Sequence, residues 1–401
     1  MLSLSKIKGA FSRFFDRGEP YLLVEILNHY VQVTFFHCHQ KKKEITVVKN
    51  WIREVPDFTI ANVIEEAKLL LRKIRKLEQY KIIVSLDSGL ATSIYSSVSL
   101  IRTHPKEVID EADMDNLISQ AIWRFFDRNR FRVAQKMGID EVDVLLSDVR
   151  IRGIKLDGHK IINPVGFKSK FVEIFFSQTF TPRDFMRQLR DSLPKESVVL
   201  IAETGSIIGN VISKSLDKDD FFIANLFPDQ SVIFSSSAER LGHLDSFGWG
   251  EKNLHASLSQ QYKLDLITTR AVVDRYIAGD ASPVFLRRFE AMVADELGVF
   301  AKGLESVTDS ENSPVYINSF FSIPPIIFSD RFQSYFNRRL QLVPLSTQFI
   351  TEKFGFAVQF KKSVQIKNNN TFLAAVSEVN FLPHNSAMSH LANRRVRWLL
   401  T

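Results

Sequence analysis

Polar and apolar positions change period several times along the chain, and each change marks an element. Residues 21–36 alternate and are rich in Val, Phe and Tyr, and residues 44–55 repeat the pattern beyond the Lys41-Lys42-Lys43 run. Alternation at period two turns one side of a strand inward. The two runs therefore predict a β-meander with a solvated lysine turn. Over 60–78, Ile60, Val63, Ile64, Ala67, Leu70, Leu71 and Ile74 recur every three or four residues. That stripe predicts an amphipathic helix, and the run at 81–86 reads as a short buried strand.

Residues 96–183 read as a small α+β module inserted into this α/β pattern. A strand at 95–102 leads to a helix opening at Asp113-Met114-Asp115 and ending near 128, then strands at 140–152, 154–162 and 170–177. Helices at 182–193 and 205–216 flank a strand at 197–202. The opening theme then restarts: two strands over 221–236 around the turn Phe227-Pro228-Asp229-Gln230, a strand at 239–247 and a helix at 251–262. Residues 265–306 read as largely helical, 314–318 as a buried strand and 325–340 as a helix. The order strand, turn, strand, strand, helix thus occurs twice, with no sequence repeat beneath it.

The ends differ from the body. Leu4, Ile7, Phe11, Phe14 and Phe15 fall on one helical stripe, with Lys6, Lys8 and Arg13 elsewhere, and Gly18 and Pro20 stop the helix. A basic amphipathic helix with bulky aromatics suits an anionic bilayer surface. At the other end Met388, Leu391, Trp398 and Leu399 share a poorer face, with Trp398 as the interfacial anchor. The net charge of +7 sits mainly in these ends, +3 in residues 1–17 and +3 in 384–401, leaving +1 for the body. A nucleic-acid-binding body would carry its own basic face, so no nucleic-acid partner is expected.

The 401 residues, 45% hydrophobic and 24% charged, require more than one core. The one cysteine, Cys38, excludes an internal disulfide and fits a reducing compartment. His37 and His39 alternate with it on a strand and no second ligand cluster follows, so no metal site is assigned. No signal peptide and no apolar run of spanning length is evident. The reading is a cytoplasmic protein, peripheral on the inner face of the membrane. Scattered carboxylates such as Glu203 and Asp280 read as surface or capping residues, and no catalytic motif appears.

The most specific stretch is Lys155-Leu156-Asp157-Gly158-His159-Lys160-Ile161-Ile162-Asn163-Pro164-Val165-Gly166. It resembles the "DG…I-x-NP-[IV]-G" segment in the inserted subdomain, called 1C, of FtsA, the bacterial actin-like protein that tethers the division filament. Asn370–Val376 resembles the "YATALGL" run near the end of FtsA and its relative PilM. The resemblance implies an actin-like (ribonuclease H-like) two-lobed α/β fold with a 1C-type insert. It divides the chain into an amphipathic helix (1–17), a first lobe (18–95 and 184–216) and the insert (96–183). A second lobe (217–264 and 312–383), a reduced helical 2B-like subdomain (265–311) and a basic tail (384–401) complete it.

The departures from that family concern its glycine turns. The first phosphate turn, like "DIGTS" in the family, is Glu25-Ile26-Leu27-Asn28-His29 here. The second, like "DIGGGT", is Asn225-Leu226-Phe227-Pro228-Asp229-Gln230, and the adenosine loop, like "TGGGA", is Asn318-Ser319-Phe320-Phe321-Ser322. Glycine lets backbone approach phosphate, and proline has no amide to offer. Glu25, Asn28, Asn225, Asp229 and Asn318 mark what remains of a cleft for ATP and Mg²⁺, read as that of a pseudo-ATPase. The resemblance implies a membrane-associated division scaffold that self-associates and holds an FtsZ-like filament or another divisome protein. The alternative is a PilM-like platform protein of type IV pilus assembly, which holds a pilus inner-membrane protein.

Overall fold

The computed structural model describes residues 18–398 except 28, 56, 217–219, 238–239, 309–312, 337–339, 362–363 and 383–385. The amphipathic helix expected over residues 1–17 lies outside these. Two compact units emerge, one of residues up to Ser215 with Gln348 onward, the other Leu216–Thr347.

The first unit is built on β1 (Glu19–Leu27), which pairs antiparallel with β2 (Tyr30–His39), itself antiparallel to β3 (Glu44–Glu54). β4 (Lys81–Leu86) runs parallel to β1, reached through helix α1 (Ile60–Leu71). β1 is buried on both faces. Leu22, Val24 and Ile26 share a core with Val63, Ala67 and Leu70 of α1. The opposite face meets a helix from the far end of the chain.

Between β4 and the next strand of this sheet lies the inserted module. β5 (Thr92–Ile101) pairs with β8 (Phe171–Pro182), β8 with β6 (Val144–Leu156), and β6 with the short β7 (His159–Ile161), all antiparallel. One face carries α2 (Glu111–Met137), longer than the stripe predicts because Val133 and Ala134 continue its buried row. Asp110 accepts from the amide of Asp113 at its start, and Gly138 ends it in the left-handed region. After β8, α3 (Arg183–Arg190) leads to β9 (Val198–Glu203), parallel to β4, and then to α4 (Thr204–Leu216).

The second unit repeats the plan. β10 (Phe221–Leu226), β11 (Ser231–Ser237) and β12 (Arg240–Phe247) form the meander. Helices α5 (Glu251–Tyr262), α6 (Leu266–Ala278) and α7 (Pro283–Val307) follow. β13 (Pro314–Ser319) is parallel to β10, and β14 (Gln341–Pro344) parallel to β13. The helix predicted over 325–340 is reduced to a turn at Pro325–Phe328 and the four-residue α8 (Asp330–Gln333). Each unit thus contains the order third, second, first, fourth, fifth strand. That order, occurring twice, is the actin-like (ribonuclease H-like) arrangement.

The chain then returns to the first unit, which corrects the expected extent of the second lobe. After α9 (Thr347–Phe354), β15 (Ala357–Phe360) pairs parallel with β3. α10 (Asn369–Asn380) lies along the second face of β1. Thr371 Oγ1 donates to Glu25 at 2.8 Å, and the hydroxyl of Tyr21 donates to Asn380 at 2.8 Å. Four strand residues and nine helix residues both span about 13 Å, so the two bonds pin an antiparallel helix on its strand. Phe372 packs edge-on against Phe36 at 5.3 Å. Residues Thr371–Val379 are all buried, which demands a sheet beneath them, and β1 supplies it.

Residues 384–401, expected as a basic tail, are helical over Ser386–Trp398 (α11). Met388, Ala392 and Val396 enter the module's core beside α2, so Met388 is not free for a bilayer. The side chain of Trp398 lies outside the described residues. β7 covers β6 only at 154–156, which leaves the rest of that edge open. α11 closes it: Asn393 accepts from the amide of Val149 at 3.0 Å and donates to its carbonyl at 2.7 Å, and Ser389 accepts from the amide of Ile151 at 2.9 Å. A covered edge cannot pair with other chains. Asn393→Ala should cost about 1–3 kcal/mol in urea unfolding, because both backbone groups of Val149 lose partners. Arg394→Ala, at an exposed site one residue on, should stay within about 0.5 kcal/mol.

Candidate functional site

In the first unit, the turn between β1 and β2 is two residues long, flanked by the pair Leu27 and Tyr30. Asn28 lies outside the described residues, and His29 has φ +72°. Glu25 turns away from this turn toward α10. It is fully buried, accepting from Gln32 Nε2 at 2.6 Å and from Thr371. Burial pushes its carboxyl up to about 7, against the lowering effect of the Thr371 and Gln32 bonds. The Tyr30 hydroxyl is buried with no hydrogen-bond partner among the described residues. Burial, then the charges of Glu25 and Asp87, raise its pKa.

In the second unit, the structure brings Asn225 and Asn318 together. They are register partners on β10 and β13, both buried, and Asn318 Nδ2 donates to Asn225 Oδ1 at 2.8 Å. Just beyond, Phe227 stacks on Phe320 with ring centroids 4.3 Å apart and planes 15° from parallel. The amide of Phe227 donates to Gln230 across the turn, and the amide of Phe320 donates to Leu226. Lys252 donates its amide to the carbonyl of Pro228 at 2.6 Å. A Cβ at Gly250 would collide with the carbonyls of Phe227 and Pro228, so the start of α5 seals this turn at contact distance. Asp229 stands apart from the asparagine pair and faces Lys252 Nζ at 3.7 Å. The turn is therefore filled by rings and satisfied amides, whereas phosphate cradling needs converging free amides.

The DG…NPVG stretch performs local tasks. Asp157 and Gly158, with φ of +47° and +87°, make the tight β6–β7 hairpin. The Asp157 carboxylate accepts the amides of Phe171 at 2.8 Å and Lys170 at 3.1 Å, and the Phe171 bond leads in holding its pKa below the usual range. Gly166 and Phe167 exchange backbone bonds with Ile109, at the approach to α2.

Two buried charge networks escaped the sequence reading. Glu378 of α10 is fully buried, paired with Arg152 Nη2 and accepting from Asn210 Nδ2 at 2.6 Å. Arg150 donates to the carbonyl of Glu378 at 3.2 Å and to that of Val199 at 3.1 Å. Its pKa is pulled down by burial and then by Arg152. Burial also opposes the charge of Arg152, but Glu378 and Tyr95 outweigh it and hold its pKa up. The Arg152 guanidinium lies over the Tyr95 ring at 5.3 Å. Glu203, expected at the surface or as a cap, is instead fully buried. It pairs with Lys136 at 2.9 Å and accepts from the amide of Ser93 and from Ser206 Oγ. A usable signal existed for Glu378: a charge inside a helix buried all round has to be paired.

Among the described residues, no group of three or more His, Cys, Asp or Glu side chains could hold a metal ion, and no helix is long and apolar enough to cross a membrane. No protein-family profile matches the chain, and no curated protein matches it. Solved structures do. The PilM-PilN type IV pilus biogenesis complex is similar at 13% identity and TM-score 0.45, covering 95% of this chain and 99% of that one. The ethanolamine utilization protein EutJ from Carboxydothermus hydrogenoformans is similar at 9% identity and TM-score 0.41, over 83% and 88% of the two chains. A Bacteroides thetaiotaomicron protein with an actin-like ATPase fold and unknown function is similar at 10% identity and TM-score 0.34, over 90% and 97%.

Glu25 makes the pH dependence of the first unit predictable. Its folded pKa of about 7 lies above the ordinary 4.5, so the fold favours the neutral acid. Its contribution to stability is complete below about 4.5, is lost as pH rises through about 7, and is level above that. Glu25→Gln should flatten this decline in unfolding free energy between pH 4.5 and 7, whatever its effect on absolute stability. A decline as steep as in the parent chain would contradict the assignment.

Proposed function

We propose that the chain is a membrane-associated, FtsA-like scaffold of bacterial cell division whose actin-like body binds partner proteins and has lost ATP chemistry. The observation that carries the loss of chemistry is the closed turn of the second unit. Phe227 and Phe320 fill the space in front of the Asn225–Asn318 pair, and Pro228 offers no amide. In the first unit Glu25, the one carboxylate left in the first phosphate turn, is engaged by Thr371 and Gln32. Glu25, Asn225, Asp229 and Asn318 act in this reading as structural remnants of a nucleotide site, not as ligands to ATP or Mg²⁺.

The division reading draws on the DG…NPVG resemblance in the module, which corresponds in this proposal to a 1C subdomain. The partner is an FtsZ-like filament or another divisome protein, and residues 1–17 hold the chain at the inner face of the cell membrane. One observation favours the pilus alternative. Between β12 and β13 the described residues are helical, α5 to α7, with no strand. The FtsA resemblance implies strands there to dock the tail of FtsZ. A PilM-like role dispenses with that contact and pairs the body with a pilus inner-membrane protein.

Isothermal titration of the chain with ATP and Mg²⁺ tests the proposal. No binding heat is expected up to millimolar nucleotide. A micromolar dissociation constant would overturn it.

A further inference from the structure

Among the described residues, one row of cations on the outer face of α2 makes no ion pair. The inner row of the helix, Met114, Leu117, Ala121, Phe125 and Val133 among others, fills the module's core. Outside, Arg124, Arg128 and Arg132 follow one another at four-residue spacing, all exposed. Trp123 and Phe131 stand in the adjacent row, 41% and 64% exposed. Residues four apart on a helix are neighbours, and like charges so placed weaken it. The row therefore does not serve helix stability.

The module's other arginines show what structural use looks like. Arg102 is buried and pairs with Asp113 at 2.9 Å. Arg130 donates to the carbonyl of Glu141 at 2.7 Å and lies over the Phe126 ring. Arg124, Arg128 and Arg132 form no ion pair among the described residues, and Asp127 is the only acid between 123 and 132. Beside α2, α11 packs into the same core and carries the exposed Arg394. The result is an exposed row of cations with no ion pair among the described residues, bordered by two large aromatics.

Charge decides what covers such a face. Residues 1–17 carry +3, so they repel it. A second copy docked face to face would set arginine rows against each other. Single-stranded nucleic acid needs a cationic groove that tracks its backbone, and a single helical row offers none. An anionic bilayer satisfies both features at once: guanidinium groups meet lipid phosphate, while Trp and Phe enter the headgroup boundary.

We propose that the outer face of α2 is a bilayer contact, with Arg124, Arg128 and Arg132 on anionic headgroups and Trp123 and Phe131 in the interface. This rests on the membrane-associated reading above and adds a contact separate from residues 1–17. The test is co-sedimentation of the full chain with phosphatidylcholine vesicles, with and without phosphatidylglycerol. The Arg124→Glu/Arg128→Glu/Arg132→Glu chain should lose at least about tenfold in partitioning to the anionic vesicles, each cation near the surface being worth roughly fivefold. Its unfolding midpoint should not move, since all three sites are exposed. Brominated lipid should quench part of the tryptophan fluorescence of the parent chain, and Trp123→Phe should remove that part. Phe11→Asp/Phe14→Asp reports on residues 1–17 independently. If it leaves partitioning unchanged while the arginine variant loses it, the α2 contact stands and the N-terminal contact falls. Parent-like partitioning of the arginine variant overturns the proposal, as does a row that binds an acidic peptide or a polynucleotide but no vesicle.

Discussion

The buried carboxylate of Glu378 ties the inserted module to the body of the first unit. It sits in the buried stretch Thr371–Val379 of α10, between Arg152 of β6 and Asn210 of α4. Removing a carboxylate from water is costly, and a buried ion pair stabilises only when its remaining lone pairs are also engaged. Here Glu378 accepts at both oxygens, and Arg150 holds the backbone beside it. The network joins elements far apart in sequence, because β6 belongs to the inserted module whereas α10, α4 and β9 belong to the body of the unit. Exposed polar contacts could not fix that junction as firmly, since their bonds compete with water.

The same helix secures the other face of the unit. α10 lies on β1 through Tyr21 and Glu25 and on β2 through Phe372 against Phe36, so one element seats both the central strand and the module. This gives Glu25 a structural part. Its carboxylate faces Thr371 and Gln32. In the second unit an amide pair and an aromatic stack occupy the matching turn. Each unit keeps the strand order.

Much of the fold was legible in the sequence because period-two and period-3.6 patterns are local. The meander at 21–55, the stripe of α1 and the repeated strand order all come from such patterns. The Asp157-Gly158 turn was legible because its chemistry is confined to two residues. Long-range partnership was not. Nothing in Ala357–Phe360 says that it pairs with β3 instead of the second unit, and the Ser389 and Asn393 contacts of α11 answer backbone groups of β6 that only the fold leaves open. The helix expected over 325–340 gives way to the Pro325–Phe328 turn and the short α8, and Pro324-Pro325 restrains only the residue before the second proline, not the stretch beyond it. Glu203 read as exposed because charge in sequence is a proxy for solvent, and Glu378 went unassigned. Their neighbours, Ser93, Ser206 and Asn210, are what make burial tolerable. Of the candidate site, the changed turns were visible residue by residue, whereas the pairing of Asn225 with Asn318 and the turning of Glu25 toward α10 required the structure.

A double-mutant cycle at Glu378 and Arg152, read by chemical unfolding, tests the junction most directly. Glu378→Ala alone should cost about 3–5 kcal/mol, since it leaves buried guanidinium charge uncompensated. Glu378→Met with Arg152→Met should cost clearly less than the two single Met changes summed. Single changes each below about 1 kcal/mol that simply add would contradict a junction built on this carboxylate.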